Sequence, residues 1–125
     1  MSPVKIFACR RWNATGISLV AGETYVFSSN GRWRDWFVTC GAEGYSKGYL
    51  KPFEACRRMP KAQWFSLIGC YGKDPRNCFD LGYIMARQGG RYTATQSGEL
   101  YCFANDMPCM YFNNHGFVEL NVRRD

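Results

Sequence analysis

Residues 98–122, GELYCFANDMPCMYFNNHGFVELNV, contain the residue types best placed to do chemistry. Asp106, Asn113 and Asn114 fall between two strand-like runs, with Pro108 in the connecting turn and Gly116 leading into the last run. One loop can therefore turn a carboxylate, two amide carbonyls and neighbouring main-chain carbonyls toward a common point. These are hard oxygen donors, the set from which calcium draws its roughly six to eight ligands. Zinc or copper would call for histidine or cysteine. The same residues also suit a well-capped hairpin, because Asn and Asp in turns bond their own backbone and tolerate left-handed geometry.

Other chemistries find less support. His115 is the only histidine, which excludes a multi-histidine metal site. A Cys109–His115 nucleophile pair would need an orienting group and an oxyanion hole, and neither is visible. Residues 72–77, GKDPRN, read as a turn opening at Asp74-Pro75, too short and lacking the hydroxyl residue of a phosphate loop. No nucleotide fingerprint occurs, and no carboxylate pair stands out as a glycosidase acid and nucleophile. The expectation is a binding protein, not an enzyme.

These residues must be positioned by one domain, 1–125, since 125 residues leave little room for two. Hydrophobic residues make up 46% and aromatic residues 17%, which excludes disorder. No apolar run approaches the roughly 20 residues needed to span a bilayer. Residues 1–11, MSPVKIFACRR, lack an apolar stretch of signal-peptide length. The expectation is a soluble protein, cytoplasmic as made, whose presence at the cell surface would need a non-classical release route. The net charge of +6 comes largely from scattered arginine pairs, such as Arg32 with Arg34 and Arg57 with Arg58, and not from a stripe. No nucleic-acid-reading motif accompanies it. Seven cysteines, without a C-x-x-C, predict mainly buried reduced thiols, with a Cys70–Cys78 disulfide as the alternative.

Thirteen glycines divide the chain into short runs rich in β-branched and aromatic residues. Strands are predicted near 5–12, 17–20, 24–28, 33–39, 64–71, 79–86, 91–95, 99–104 and 117–123. Asn30-Gly31 carries a hairpin signal, and residues 41–61 read as a long loop with a helical turn. About eight or nine strands without sustained helical periodicity predict an all-β, two-sheet sandwich of jelly-roll type. Near the end, Val118, Leu120 and Val122 alternate with Phe117, Glu119 and Asn121, as in a sheet with one wet face.

The segment Asn105, Asp106, Pro108, Tyr111, Asn113, Asn114 and Gly116 has the spacing N-D-x-P-x-x-Y-x-N-N-x-G. It resembles the carboxy-terminal part of the small calcium-dependent galactose-binding bacterial lectins of the PA-I type, which share a galactose-binding-like sandwich. GRWRDW at 31–36 sits where that family has an early Gly-Trp segment. The resemblance implies a calcium site built from Asp106, Asn113 and Asn114 side chains with the main-chain oxygens of Met110 and Trp36. It also implies sugar contacts from Asp106, Asn113, Trp36, Asp35 and Met107, a galactose-type glycan as ligand, and a homo-oligomeric dimer or tetramer. Asp35 is an additional acid that reads as an ion ligand, as a sugar acceptor, or simply as a partner of Arg32 or Arg34. Trp33, Trp36 and Trp64 could each stack on a sugar face; Trp64 is read as core and the other two are left open. One departure concerns the mid-chain loop, where the family uses a His and a Gln. Residues 47–63 contain no His, and their one Gln is Gln63. The alternative reading is a metal-free β-sandwich serving protein interaction or structure.

Overall fold

The computed structural model describes residues 3–125, the Tyr49 side chain excepted, so residues 1 and 2 of the expected domain lie outside it. Ten strands form two antiparallel sheets. The first contains β1 (Val4–Phe7), β3 (Thr24–Asn30), β4 (Trp33–Asp35), β5 (Val38–Cys40), β8 (Arg91–Thr93) and β10 (Asn114–Arg124). Its order is β5-β4-β10-β3-β8, with β1 also on β10. The second has the order β2-β9-β6-β7, from β2 (Asn13–Leu19), β9 (Gly98–Ala104), β6 (Leu67–Tyr71) and β7 (Cys78–Asp80). The predicted all-β sandwich is the architecture observed.

Burial explains the sheets. β2 alternates strictly, with Asn13, Thr15, Ile17 and Leu19 buried and the residues between them exposed, the signature of one dry and one wet face. β6 is buried at every position because both its faces are covered. Leu67 and Tyr71 join the main core with Ile6, Phe27, Trp33, Phe65 and Leu120. Ile68 and Cys70 join a second cluster with Ala62 and Phe103, against which Trp12 and Met59 pack. The Arg58 guanidinium lies 3.5 Å from the Phe103 ring centre, so the mid-chain segment closes this outer face by apolar contact and cation–π attraction.

Several sequence expectations are corrected. Residues 33–39 are not one strand: β4 and β5 form a hairpin whose two turn residues are Trp36 and Phe37. Trp36 has φ +54°, the sign a two-residue hairpin turn requires at its first position, where glycine or asparagine usually sits. Asn30-Gly31 is no hairpin turn, since β3 and β4 run along the same edge of β10 in one continuous register, Asn30 opposite Glu119 and Trp33 opposite Gly116. Residues 79–86 are mostly helix, α1 (Leu81–Arg87), because the Asp80 carboxylate caps it by accepting the Tyr83 N–H at 3.0 Å. Residues 41–61 do carry the expected helical segment, a 3₁₀ helix over Gly48–Cys56. Cys70 and Cys78 are disulfide-bonded, and Cys9, Cys56 and Cys109 are exposed, so buried reduced thiols describe only Cys40 and Cys102. Their occurrence in facing positions of β6 and β7 brings Cys70 and Cys78 together.

Candidate functional site

The register of β10 builds the site. Its first residues pair with β4, Asn114 opposite Asp35 and Gly116 opposite Trp33. Farther along, the same edge pairs with β3 from Glu119 to Arg124, while β1 pairs with Phe117–Leu120 on the other edge. Gly116, at φ +82°, is the last residue of β10 to pair with β4. The register thus sets the oxygen-bearing residues of the late loop beside a hairpin almost eighty positions earlier in the chain. A further bond closes the contact: the Trp36 N–H donates to the Asn113 carbonyl at 3.1 Å.

A second tether runs to the mid-chain segment. Asn105, fully buried, accepts the Met59 N–H and donates to the Met59, Ala62 and Gln63 carbonyls. The Arg58 N–H donates to the Asp106 carbonyl at 3.0 Å. These bonds hold the chain that follows the 3₁₀ helix against the Asp106 loop. Tyr111 braces the loop from within, its hydroxyl donating to the Ala104 carbonyl at 2.6 Å.

Between these segments lies a pocket of about 290 Å³. Its polar lining comes from Asp35, Tyr45, Asp106 and Asn113. Its apolar lining comes from Trp36, Phe37 and Val38 of the hairpin, Leu50 and Phe53 of the 3₁₀ helix, Trp64, and Met107 and Met110 of the late loop. The rim is aromatic and wet: Trp36 and Phe37 stack at 4.2 Å and are 59% and 77% exposed.

Asp106 and Asn114 are each 2% exposed. Asp106 Oδ1 accepts the Met107 N–H at 2.7 Å, while Oδ2 has no hydrogen-bond partner. The Asn114 amide nitrogen donates to the Ala8 carbonyl at 3.0 Å, which leaves its Oδ1 buried and unpaired, as is Asn113 Oδ1. Three orphaned oxygens, on Asp106 at one end of the loop and on Asn113 and Asn114 at the other, would be costly as they stand. In type, a carboxylate oxygen and two amide oxygens fit the ligand chemistry of calcium. Among the described residues no group of three or more His, Cys, Asp and Glu side chains gathers for a metal, here or elsewhere, so an ion at this site would depend on amide and main-chain oxygens beside Asp106.

Burial and like charge dominate the electrostatics of the pocket. Burial, reinforced by the negative charge of Asp35 and opposed by the Met107 N–H and the Asn114 side chain, pushes the Asp106 carboxyl up to about 7. Burial also raises Asp35, against the lowering effect of its bond from the Tyr45 hydroxyl. Asp35 makes no ion pair with Arg32 or Arg34 among the described residues, which corrects that option; its partner is Tyr45.

Asp35, Trp36, Asp106, Met107, Met110 and Asn113 all line the one pocket, and Asn114 adjoins Asp106 behind it. Trp64 is core as expected and yet also reaches the pocket wall, with Nε1 unpaired; Trp33 is core, and Trp36 is on the rim. Gln63 lines a different groove. Sequence reasoning missed Tyr45, Leu50 and Phe53, which come from the segment read as a loop. An apolar i, i+3 pair at Leu50 and Phe53, one turn of 3₁₀ helix apart, was the available signal.

Neither a protein-family model nor a curated protein matches the sequence. Among solved structures, the N-terminal domain of EclA, described as a PllA-like lectin, superposes with a TM-score of 0.70 at 19% identity. The match covers 100% of this chain and 97% of that one. At that identity the likeness establishes the fold.

Proposed function

We propose that this chain is a calcium-dependent, lectin-type carbohydrate-binding domain without catalytic activity, directed at galactose-type sugars. The observation that carries this reading is the trio of buried, unpartnered oxygens, Asp106 Oδ2, Asn113 Oδ1 and Asn114 Oδ1, beside an open pocket. The shared fold with a domain described as a PllA-like lectin supports it. Asp106, Asn113 and Asn114 would hold the ion through side chains, and Trp36 and Met110 through main-chain oxygens. Calcium bound there supplies open coordination positions for two hydroxyls of a vicinal diol. The chain's own residues do the rest. Asp106 contributes formal charge, and Asp35, fixed by Tyr45, adds a second negative group. Trp36 offers an aromatic face and Met107 an apolar contact to the sugar ring.

Calorimetric titration of the protein with calcium, with and without galactose, tests the reading. The expected result is weak calcium binding that galactose strengthens, with equal and reciprocal coupling, and loss of both in Asp106→Asn. A wild-type protein that binds no calcium in either condition overturns it. That outcome would favour a metal-free interaction module, the reading to which the exposed Trp36, Phe37 and Phe112 lend support. Because a single shallow sugar site gains avidity from repetition, the domain is expected to be a dimer or tetramer, which light scattering will show.

A further inference from the structure

We propose that the outward face of the first sheet, where β1, β10 and β4 lie side by side, is a calcium-independent binding surface for an acidic polysaccharide, a sugar chain carrying sulfate or carboxylate groups. It involves neither the pocket nor an ion, so it stands apart from the reading above.

The register assembles this face. Ile6, Val118 and Leu120 are buried in the core. Alternation therefore turns Lys5 and Phe7 of β1, and His115, Phe117 and Glu119 of β10, to the outside. Phe7 is opposite Phe117, and Arg34 of β4 is opposite His115. The Phe7 and Phe117 rings meet with 5.5 Å between their centres. Each ring carries a cation: Lys5 Nζ lies 4.9 Å from the Phe117 centre, and the Arg10 guanidinium 4.4 Å from the Phe7 centre. Those contacts rest two long side chains on the sheet and leave their N–H groups free for an anion. Among the described residues Lys5, Arg10 and Arg34 form no ion pair; the carboxylates that do are Asp74 and Asp125. Glu119 is the one acid that β1, β4 and β10 turn outward, so positive charge prevails.

The spacing of the cations selects a chain and not a small anion. Lys5 and Arg34 flank β10 on its two edges, four residues apart along it, roughly 10 Å across the sheet and roughly 13 Å along it. No single sulfate or carboxylate spans that distance, but a chain with repeated anionic groups does. Lys5 and Arg10 already lie against the aromatic rings, which leaves the bases of a nucleic acid no free ring on which to stack. Phe117, 37% exposed, offers too little apolar surface for the core of a protein interface. Arginine forks and a lysine suit sulfate and carboxylate oxygens directly.

The test is calorimetry on the full chain in EDTA, where no calcium site can contribute, at about 50 and about 200 mM salt. The probes are sulfated dextran oligosaccharide, oligogalacturonate, uncharged dextran, oligothymidylate and polyglutamate, the charged ones matched in charge. The expected result is that an acidic polysaccharide binds, that dextran does not, and that affinity falls on the order of tenfold or more between the two salt concentrations as counterions are released. Tighter binding of the sulfated chain assigns sulfate as the anion, and tighter binding of oligogalacturonate assigns carboxylate. Replacing Lys5, Arg10 and Arg34 together by glutamine should weaken binding about tenfold or more. Replacing Lys51, Lys73 and Arg87 by glutamine removes the same charge from exposed positions outside this face and should weaken it less than about threefold. Arg34→Gln alone, a single exposed change, should weaken it about threefold and repeats the comparison should the triple variant fail to fold. Equal losses in the two triple variants would mean that net charge binds the polymer and not this face, and would overturn the inference. Absence of acidic-polysaccharide binding at the lower salt overturns it as well. Tighter binding of oligothymidylate or polyglutamate than of either polysaccharide overturns the partner assigned here.

Discussion

Replacing Asp106 by asparagine should stabilise the calcium-free protein while destroying the response to calcium proposed above. The unfolded carboxyl titrates near 3.8 and the folded one at about 7, raised first by burial and then by Asp35. Each pH unit of difference corresponds to about 1.4 kcal/mol, so the ionised carboxylate costs the fold about 4 kcal/mol at pH 8. Between the two values the folded protein retains a proton that the unfolded chain has released. Stability therefore falls as pH rises through that window, and the full cost stands above about pH 7. Asparagine keeps the size and keeps an Oδ1 for the Met107 N–H. In EDTA at pH 8, urea denaturation should show the variant more stable by about 4 kcal/mol, shrinking to about 1–2 kcal/mol at pH 5. Calcium at a hundred times its dissociation constant should add about 2.7 kcal/mol to the wild type and nothing to the variant. An Asp106→Asn protein no more stable than wild type in EDTA at pH 8 refutes the claim that this carboxylate is buried without compensation. A difference that does not narrow at pH 5 refutes its assignment to ionisation.

Asp35→Asn retains an acceptor for Tyr45 but removes the second negative group, so calorimetry should show calcium affinity weakened several-fold and not abolished. Asn105→Ala removes four hydrogen bonds from a fully buried side chain. It should cost about 2–4 kcal/mol in urea unfolding and loosen the mid-chain segment toward hydrogen exchange. Gly44→Ala would place a Cβ 2.3 Å from the Trp64 carbonyl at a residue with φ +79°. A destabilisation of about 2 kcal/mol or more is expected in thermal melts. Reducing the Cys70–Cys78 bond opens a short loop and should lower stability by about 2–3 kcal/mol, as read by urea unfolding with and without reductant.

The oxygen donors, and the sandwich that carries them, were legible because they depend on local features. Asp106, Asn113 and Asn114 occupy one loop at fixed spacing. The alternation of Val118 and Leu120 with Glu119 follows from the period of a strand. Glycine punctuation likewise marks most strand ends, though it does not say which strands pair. Elsewhere local propensity misled. Phe79, Tyr83 and Ile84 favour strand by type, but a single cap from Asp80 and the close approach of Gly82 to the Ala42 carbonyl select α1. Trp36 and Phe37 carry no turn signature, yet long-range pairing with β10 and the bond to Asn113 hold Trp36 in a left-handed conformation that its own preferences oppose. The pocket's apolar wall depends on contacts between residues far apart in the chain. Leu50 and Phe53 line the same pocket as Asp106 because Asn105 ties residues 59–63 in place, and the rise in the Asp106 carboxyl comes from burial and from Asp35 of the β4–β5 hairpin. Residue spacing specifies which oxygen-bearing side chains share one loop. How deeply those atoms are buried, and what surrounds them, depends on distances that close only when the whole chain has packed.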